Sequence, residues 1–230
     1  MKASAIIVAA GSGSRLGSAT PKAFIPLGSR TLLYYSLRTI GQLPALGEAV
    51  ITVPAGMESA AATEVARAGL KIPVKITPGG IERRQDSVRI ALALTSAESE
   101  LVVIHDAARP FATPTMFEQA LRAASEHGAA IAAIATADTL KRVESGSIVA
   151  TVPRAALYQA QTPQAFRREL LKRAHREALA NQIAATDDAD LVERLGARVQ
   201  IIEGSALNLK ITTPADLEIA QALAHIRSES

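Results

Sequence analysis

Between residues 6 and 24 the chain reads IIVAAGSGSRLGSATPKAF: an apolar run, a loop of Gly and Ser, then two cations, Arg15 and Lys22. No acidic residue precedes Glu48. Free backbone N–H groups with cations beside them suit a chain of phosphates. An Asp or Glu in that loop would repel a triphosphate and pair off the cations. Two other phosphate loops fail on particular residues. The dinucleotide fingerprint needs G-x-G-x-x-G and an acid about 20 residues later. Here the third Gly is one place late, at Gly17, and the acid is missing. The Walker loop needs Gly-Lys followed by Ser or Thr, and the chain has no Gly-Lys pair. A plain strand-to-helix turn would explain the glycines but needs neither cation.

Such a loop must follow a strand, and SAIIVAA (4–10) is a continuous apolar run of the kind a central parallel strand shows. Strand-like and helix-like stretches then alternate. Helical spacing covers 31–40, 57–69, 86–97 and 114–127; strand-like runs cover 48–53, 73–77, 100–106 and 129–136. This α/β alternation predicts a mostly parallel sheet flanked by helices on both faces. Ligands bind such sheets outside the carboxyl ends of the strands, so the loops after Ala10, Thr77, His105 and Thr136 matter most. The alternation breaks after 136. Two β-like stretches around SGS read as an inserted hairpin, an arm covering about 137–160. A helix is expected over 164–180, its cationic stripe a solvated face. Another is expected over 186–196, with Thr186 as its cap and Gly196 at its stop. Short strands are expected within 198–204 and 208–212, then a closing helix capped by Thr213 with Pro214 at its first position.

Bulk composition narrows the partners. The 230 residues suit a single domain, 1–230. Apolar residues make up 48% of them, enough for a full core. Aromatics make up only 3%, too few to build stacking platforms for single-stranded nucleic acid. The net charge of +3 is scattered, with no polybasic tail, so a small anionic ligand is expected and a nucleic acid is not. There is no Cys, which excludes disulfides, thiolate metal sites and a Cys nucleophile. No apolar stretch approaches the ~20 residues of a membrane helix, and 5–10 is short for a signal-peptide core. No membrane partner and a cytoplasmic location are expected.

Several motifs occur in order along the chain: AAGSGSRLGSATPKAF (9–24), HDAARP (105–110), DTLKR (138–142), VPRAALYQAQTPQAF (152–166), TDDA (186–189) and NLKIT (208–212). Together they resemble the 2-C-methyl-D-erythritol 4-phosphate cytidylyltransferases of the non-mevalonate isoprenoid pathway, over essentially the whole chain. HDAARP with the late Lys is specific for this group; the Gly loop alone is not. The resemblance implies a Rossmann-like nucleotidyltransferase fold. It implies attack by a polyol phosphate on the α-phosphorus of CTP, releasing pyrophosphate. One departure is visible. Family members run GG, a few residues, Arg and then DSV, whereas GGIERRQDSV (79–88) is one residue longer, with Arg83 and Arg84 adjacent.

The resemblance also suggests roles. Arg15 and Lys22 are expected to stabilise charge on the α-phosphate, with Ala9, Ala10, Gly11, Gly13 and Ala107 around the nucleotide. Lys210, in NLKIT, would reach the reacting phosphates from the far side. Asp106, at a strand's carboxyl end facing the loop, is where Mg²⁺ or another divalent cation would be held, since Mg²⁺ commonly takes one or two carboxylates plus phosphate oxygens. A helix cap or an ion pair with Arg109 is the alternative for Asp106. His105 has no second His at a ligand spacing and reads as structural. Gly79, Gly80 and Ser87 are expected near the base, where Gly lets the backbone approach closely. Thr139, Arg154 and Thr186 fall to the polyol phosphate, Arg154 as a bidentate clamp with catalytic weight, and Arg109 belongs to the same pocket. The arm is implied to embrace a second copy of the chain, giving a homodimer. Two rivals stand beside this reading: the same reaction on ribitol 5-phosphate, and a nucleotide-binding regulatory domain without turnover.

Overall fold

A computed structural model of the protein describes residues 2–17, 20–80 and 82–228, and the side chains of Arg15, Arg227 and Ser228 lie outside the described residues. In β1 (Ala3–Val8), Ala5 and Ile7 join one layer of the core and Ile6 the other. A strand covered on both faces does this, because successive side chains point to opposite sides. A small hairpin, β2 (Pro26–Leu27) and β3 (Arg30–Thr31), leads into α1 (Leu32–Ile40). There Thr31 Oγ1 caps the helix by accepting the Tyr34 N–H. The alternation continues through β4 (Leu46–Val53), α2 (Glu58–Ala68), β5 (Val74–Pro78), α3 (Arg84–Leu94), β6 (Leu101–Asp106), α4 (Pro114–His127) and β7 (Ala129–Ala135). Then come β8 (Leu140–Glu144), β9 (Ser147–Val152), β10 (Tyr158–Arg167), α5 (Arg168–Ala180), α6 (Asp188–Glu193), β11 (Gln200–Glu203) and α7 (Pro214–Ser228).

Seven strands form the main sheet, in the order β11-β7-β10-β6-β1-β4-β5. β5, β4, β1 and β6 run parallel, so the loops after β1, β5 and β6 emerge at one edge. Helices α1, α2 and α4 cover one face and α3, α5 and α6 the other. α7 packs separately, with Ala220 against Leu27, Phe111 and Ile211. Among the described residues no helix is long and apolar enough to cross a membrane.

The hairpin forms as expected. β8 and β9 pair only with each other, and Ser145 and Gly146, both at positive φ, make the two-residue turn that such a hairpin favours. Its apolar side chains are open to solvent, with Val143 55% and Ile148 64% exposed.

Four expectations are corrected. Residues 164–167 are not the start of a helix; they finish β10, which lies antiparallel between β6 and β7. Pro163 and three Gln hide this strand in the sequence. The register shifts between Ala160 and Gln164, which accommodates a Pro inside a sheet. Residues 208–212 form no strand: the Ile211 N–H donates to the Ala108 carbonyl (2.9 Å), laying the segment against the loop after β6. Thr186 does not cap the next helix. Asp187 does, accepting the Asp190 N–H at 3.0 Å. The stripe on α5 is not wholly solvated either, since Arg168 is buried and donates to Thr95.

Candidate active site

The loops after β1, β5 and β6 enclose a cleft of about 720 Å³. Ala9, Ala10, Gly11 and Gly13 line it from the first loop. Gly13 sits at φ 73, and a Cβ there would lie 2.9 Å from the Lys22 Cβ. Only Gly meets both demands. Lys22, also on the wall, opens a short turn whose Ala23 and Phe24 are buried. The core thus anchors the base of the Lys22 side chain. Gly79, Gly80 and Ser87 form the opposite wall. The Gly80 N–H donates to Ser87 Oγ at 3.0 Å. A Cβ on Gly79 would collide with Ala10 Cβ, and one on Gly80 with Asp86 Cβ. The wall is therefore bare backbone by necessity. Gly79→Ala is expected to push this loop off Ala10, at a cost of about 1–3 kcal/mol, and to raise KM for a nucleotide in the cleft about tenfold. An unchanged KM would mean that the loop does not meet the nucleotide.

Asp106 and Ala107 close the floor, with Lys210 beside them. Asp106 does not pair with Arg109. Its Oδ1 accepts from Arg84 Nε at 2.7 Å and its Oδ2 from Lys210 Nζ at 2.7 Å. Burial alone would raise this carboxyl, but Arg84 and Lys210 override it and hold it far below the usual carboxylate range. Arg84 reaches further: its Nη1 donates to Asp188 Oδ2, and Asp188 Oδ1 bonds His175 Nε2 at 2.9 Å. Asp188 is 1% exposed, so these partners are what make its charge tolerable.

His105 is fully buried and structural. The Asp106 N–H donates to Thr162 Oγ1, which lies 2.9 Å from His105 Nδ1, while His105 Nε2 lies 3.1 Å from the Arg109 carbonyl. A neutral imidazole protonated on Nε2 satisfies all of these at once. Burial pushes its pKa down to about 4, against the opposing pull of Asp106. The unfolded chain therefore binds the extra proton first, at about 6.5. Stability from this group is complete above that pH and declines as pH falls toward 4, by about 3 kcal/mol. Urea melts across that window are expected to flatten in His105→Asn; an unchanged slope would contradict the assignment.

The remaining expected residues lie elsewhere. Arg109 directs its guanidinium at the carbonyls of Asn208 (2.7 Å) and Ala160 (3.2 Å). Thr139 and Arg154 sit exposed on the arm, where Arg154 donates to the Ala137 carbonyl. Thr186 is exposed in the segment before α6. None of these four lines the cleft. The Arg15 side chain lies outside the described residues.

Sequence reasoning passed over Arg84, Asp188, Gln161 and Asn208. Arg84 carried no local signal: the helix expected over 86–97 starts after it, and α3 begins at Arg84 only in the structure, where a cation in the first turn opposes the helix dipole and is offset by Asp106 and Asp188. The buried Asn208 Nδ2 donates to Gln161 Oε1 (3.0 Å) and to the Thr162 carbonyl (2.9 Å), tying the Lys210 segment to β10.

The 2-C-methyl-D-erythritol 4-phosphate cytidylyltransferase family matches residues 3–225. A protein of that name from Deinococcus radiodurans is 46% identical over 96% of this chain and 89% of its own. One from Pelotomaculum thermopropionicum is 40% identical over 98% and 95%. The crystal structure of the enzyme of that name from Thermus thermophilus superposes with a TM-score of 0.82 at 37% identity, covering 98% of this chain and 100% of that one. A 4-diphosphocytidyl-2C-methyl-D-erythritol synthase from Anaerococcus prevotii gives 0.84 at 29% identity, covering 97% and 98%.

Proposed function

The chain belongs to the 2-C-methyl-D-erythritol 4-phosphate cytidylyltransferase family, and from that premise we infer how its site works. It transfers a cytidylyl group from CTP to 2-C-methyl-D-erythritol 4-phosphate, giving 4-diphosphocytidyl-2-C-methyl-D-erythritol and pyrophosphate. The observation that carries the mechanism is the cleft itself: two Gly-rich backbone walls, with Lys22 and Lys210 on its surface. The nucleophile is a phosphate monoester with a second pKa of about 6, already a dianion at neutral pH. It needs no general base. His105 is buried with both nitrogens engaged, and Asp106 is paired with two cations. Positioning and neutralisation of phosphate charge do the work instead. The loop 9–13 cups the phosphates, Gly79, Gly80 and Ser87 meet the cytosine, and Lys22, Arg15 and Lys210 stabilise the charge that builds on the α-phosphate.

The polyol phosphate falls to Arg154, Thr139, Thr186 and Arg109. Arg154 and Thr139 lie on the arm, away from their own cleft, and its exposed Val143, Ile148 and Val149 call for a covering surface. A homodimer in which each arm completes the partner's site meets both needs. We place the reaction in the cytoplasm, where nucleoside triphosphates are plentiful. Pyrophosphate release tests the substrate: turnover is expected with methylerythritol phosphate and not with ribitol 5-phosphate. Equal rates with both would overturn the choice.

A divalent cation, Mg²⁺ or another, is proposed at Asp106, where it would take the place that Lys210 Nζ holds on Oδ2 while Arg84 keeps Oδ1. Among the described residues no cluster of three or more His, Asp or Glu is placed to hold a metal. Asp106, however, lines the cleft floor as a single carboxylate, and Mg²⁺ takes one or two carboxylates with phosphate oxygens and water for the rest. When bound there it would offset phosphate charge. Asp106→Asn is expected to cut turnover about a hundredfold with the fold intact, and excess EDTA to abolish it. Full activity in EDTA would sink the metal.

A further inference from the structure

The first turn of α3 touches both halves of the site. Ser87 faces the nucleotide wall, where it accepts the Gly80 N–H. Gln85 precedes it by two residues, about 200° around a helix, and so points away from that wall. Its Nε2 donates to the Ile183 carbonyl at 3.2 Å, and its Oε1 accepts the Ala185 N–H at 3.1 Å. A side-chain amide thus pairs with a backbone carbonyl and N–H two residues apart, as a neighbouring strand would. The next residue is Thr186.

Three further contacts fix the far side of Thr186, one of them its own N–H donating to Asp190 Oδ2 at 3.3 Å. Gln164 Nε2 donates to Asp187 Oδ2 at 2.7 Å, and Arg84 holds the buried Asp188. Thr186 itself stays exposed between these clamps. Segment 181–187 belongs to neither flanking helix, so its course depends on such side-chain contacts. We propose that Gln85 is a positioning residue for the polyol-phosphate subsite: its amide sets the backbone that presents Thr186, while the same helical turn supports the nucleotide wall. This rests on the reading of Thr186 as a ligand of the polyol phosphate.

The test is steady-state kinetics on the full chain with both substrates varied. Gln85→Ala is expected to raise KM for methylerythritol phosphate about tenfold, the loss of two hydrogen bonds, with kcat and KM for CTP within about twofold. Thr186→Ala is expected to raise the same KM, and the double variant to be no worse than Thr186→Ala alone, because Gln85 acts through Thr186. Gln85→Glu keeps the acceptor for Ala185 but sets a carboxylate oxygen against the Ile183 carbonyl. It is expected to raise the same KM at least as far as Gln85→Ala, and it carries the test if the Ala variant does not fold. If Thr186→Ala raises KM and neither Gln85 variant does, the positioning role is wrong and the site reading stands. If Thr186→Ala changes nothing, the site reading fails and takes this inference with it. Additive effects in the double variant, or an equal rise in both KM values, would also overturn the role.

Discussion

Lys22→Ala is expected to lower kcat about a hundredfold while leaving KM for CTP near the wild-type value. The reason is where the charge changes. The phosphates are anionic in the ground state, but the α-phosphate gains charge density as the new P–O bond forms, and a cation fixed beside it acts most strongly then. Removing one such donor from a preorganised site costs on the order of 3 kcal/mol. The loop should survive the change. Ala keeps the Cβ that packs against Gly13, and the neighbouring Ala23 and Phe24 stay buried. Rapid-quench single turnovers check the point by reading the chemical step directly. A defect confined to KM for CTP would mean that Lys22 holds only the ground state.

The parts of this site that could be read from the sequence are those made by continuous segments. β1 is a run of apolar residues ending in the Gly-Ser loop, and its rival reading, a signal-peptide core, fails on length. β4, β6 and β7 are strand-like runs too, so the parallel layers and the cleft at their carboxyl edge followed. β10 did not, because its pattern is written for other partners. Gln161 serves Asn208 and Gln164 serves Asp187, so polar residues occupy a strand whose Ala165 and Phe166 are fully buried. Arg84 escaped for a different reason. Its meaning lies in Asp106 and Asp188, 22 and 104 residues away, and no local spacing reports contacts at that range. Thr186 looked like a cap because a Thr before acids usually is one. Asp187 took the position, leaving the Thr186 side chain open to solvent.

Two inactive variants are expected to restore each other when mixed. Thr139 and Arg154 lie on an arm that does not line the cleft of its own chain, and a two-stranded hairpin is marginal in water by itself. In the proposed two-fold dimer each arm reaches the partner's cleft. A Lys22→Ala chain then lacks a working nucleotide loop but carries a sound arm, and an Arg154→Ala chain has the reverse. Their mixed dimer contains one site with both lesions and one with neither. With random exchange of equal amounts, about half the dimers are mixed, so roughly a quarter of wild-type activity should return. Exchange is verified independently by pulling down a tagged chain with its untagged partner. If the subunits exchange and activity stays at the level of the two parents, Arg154 serves its own chain's site and the arm does not act across the dimer.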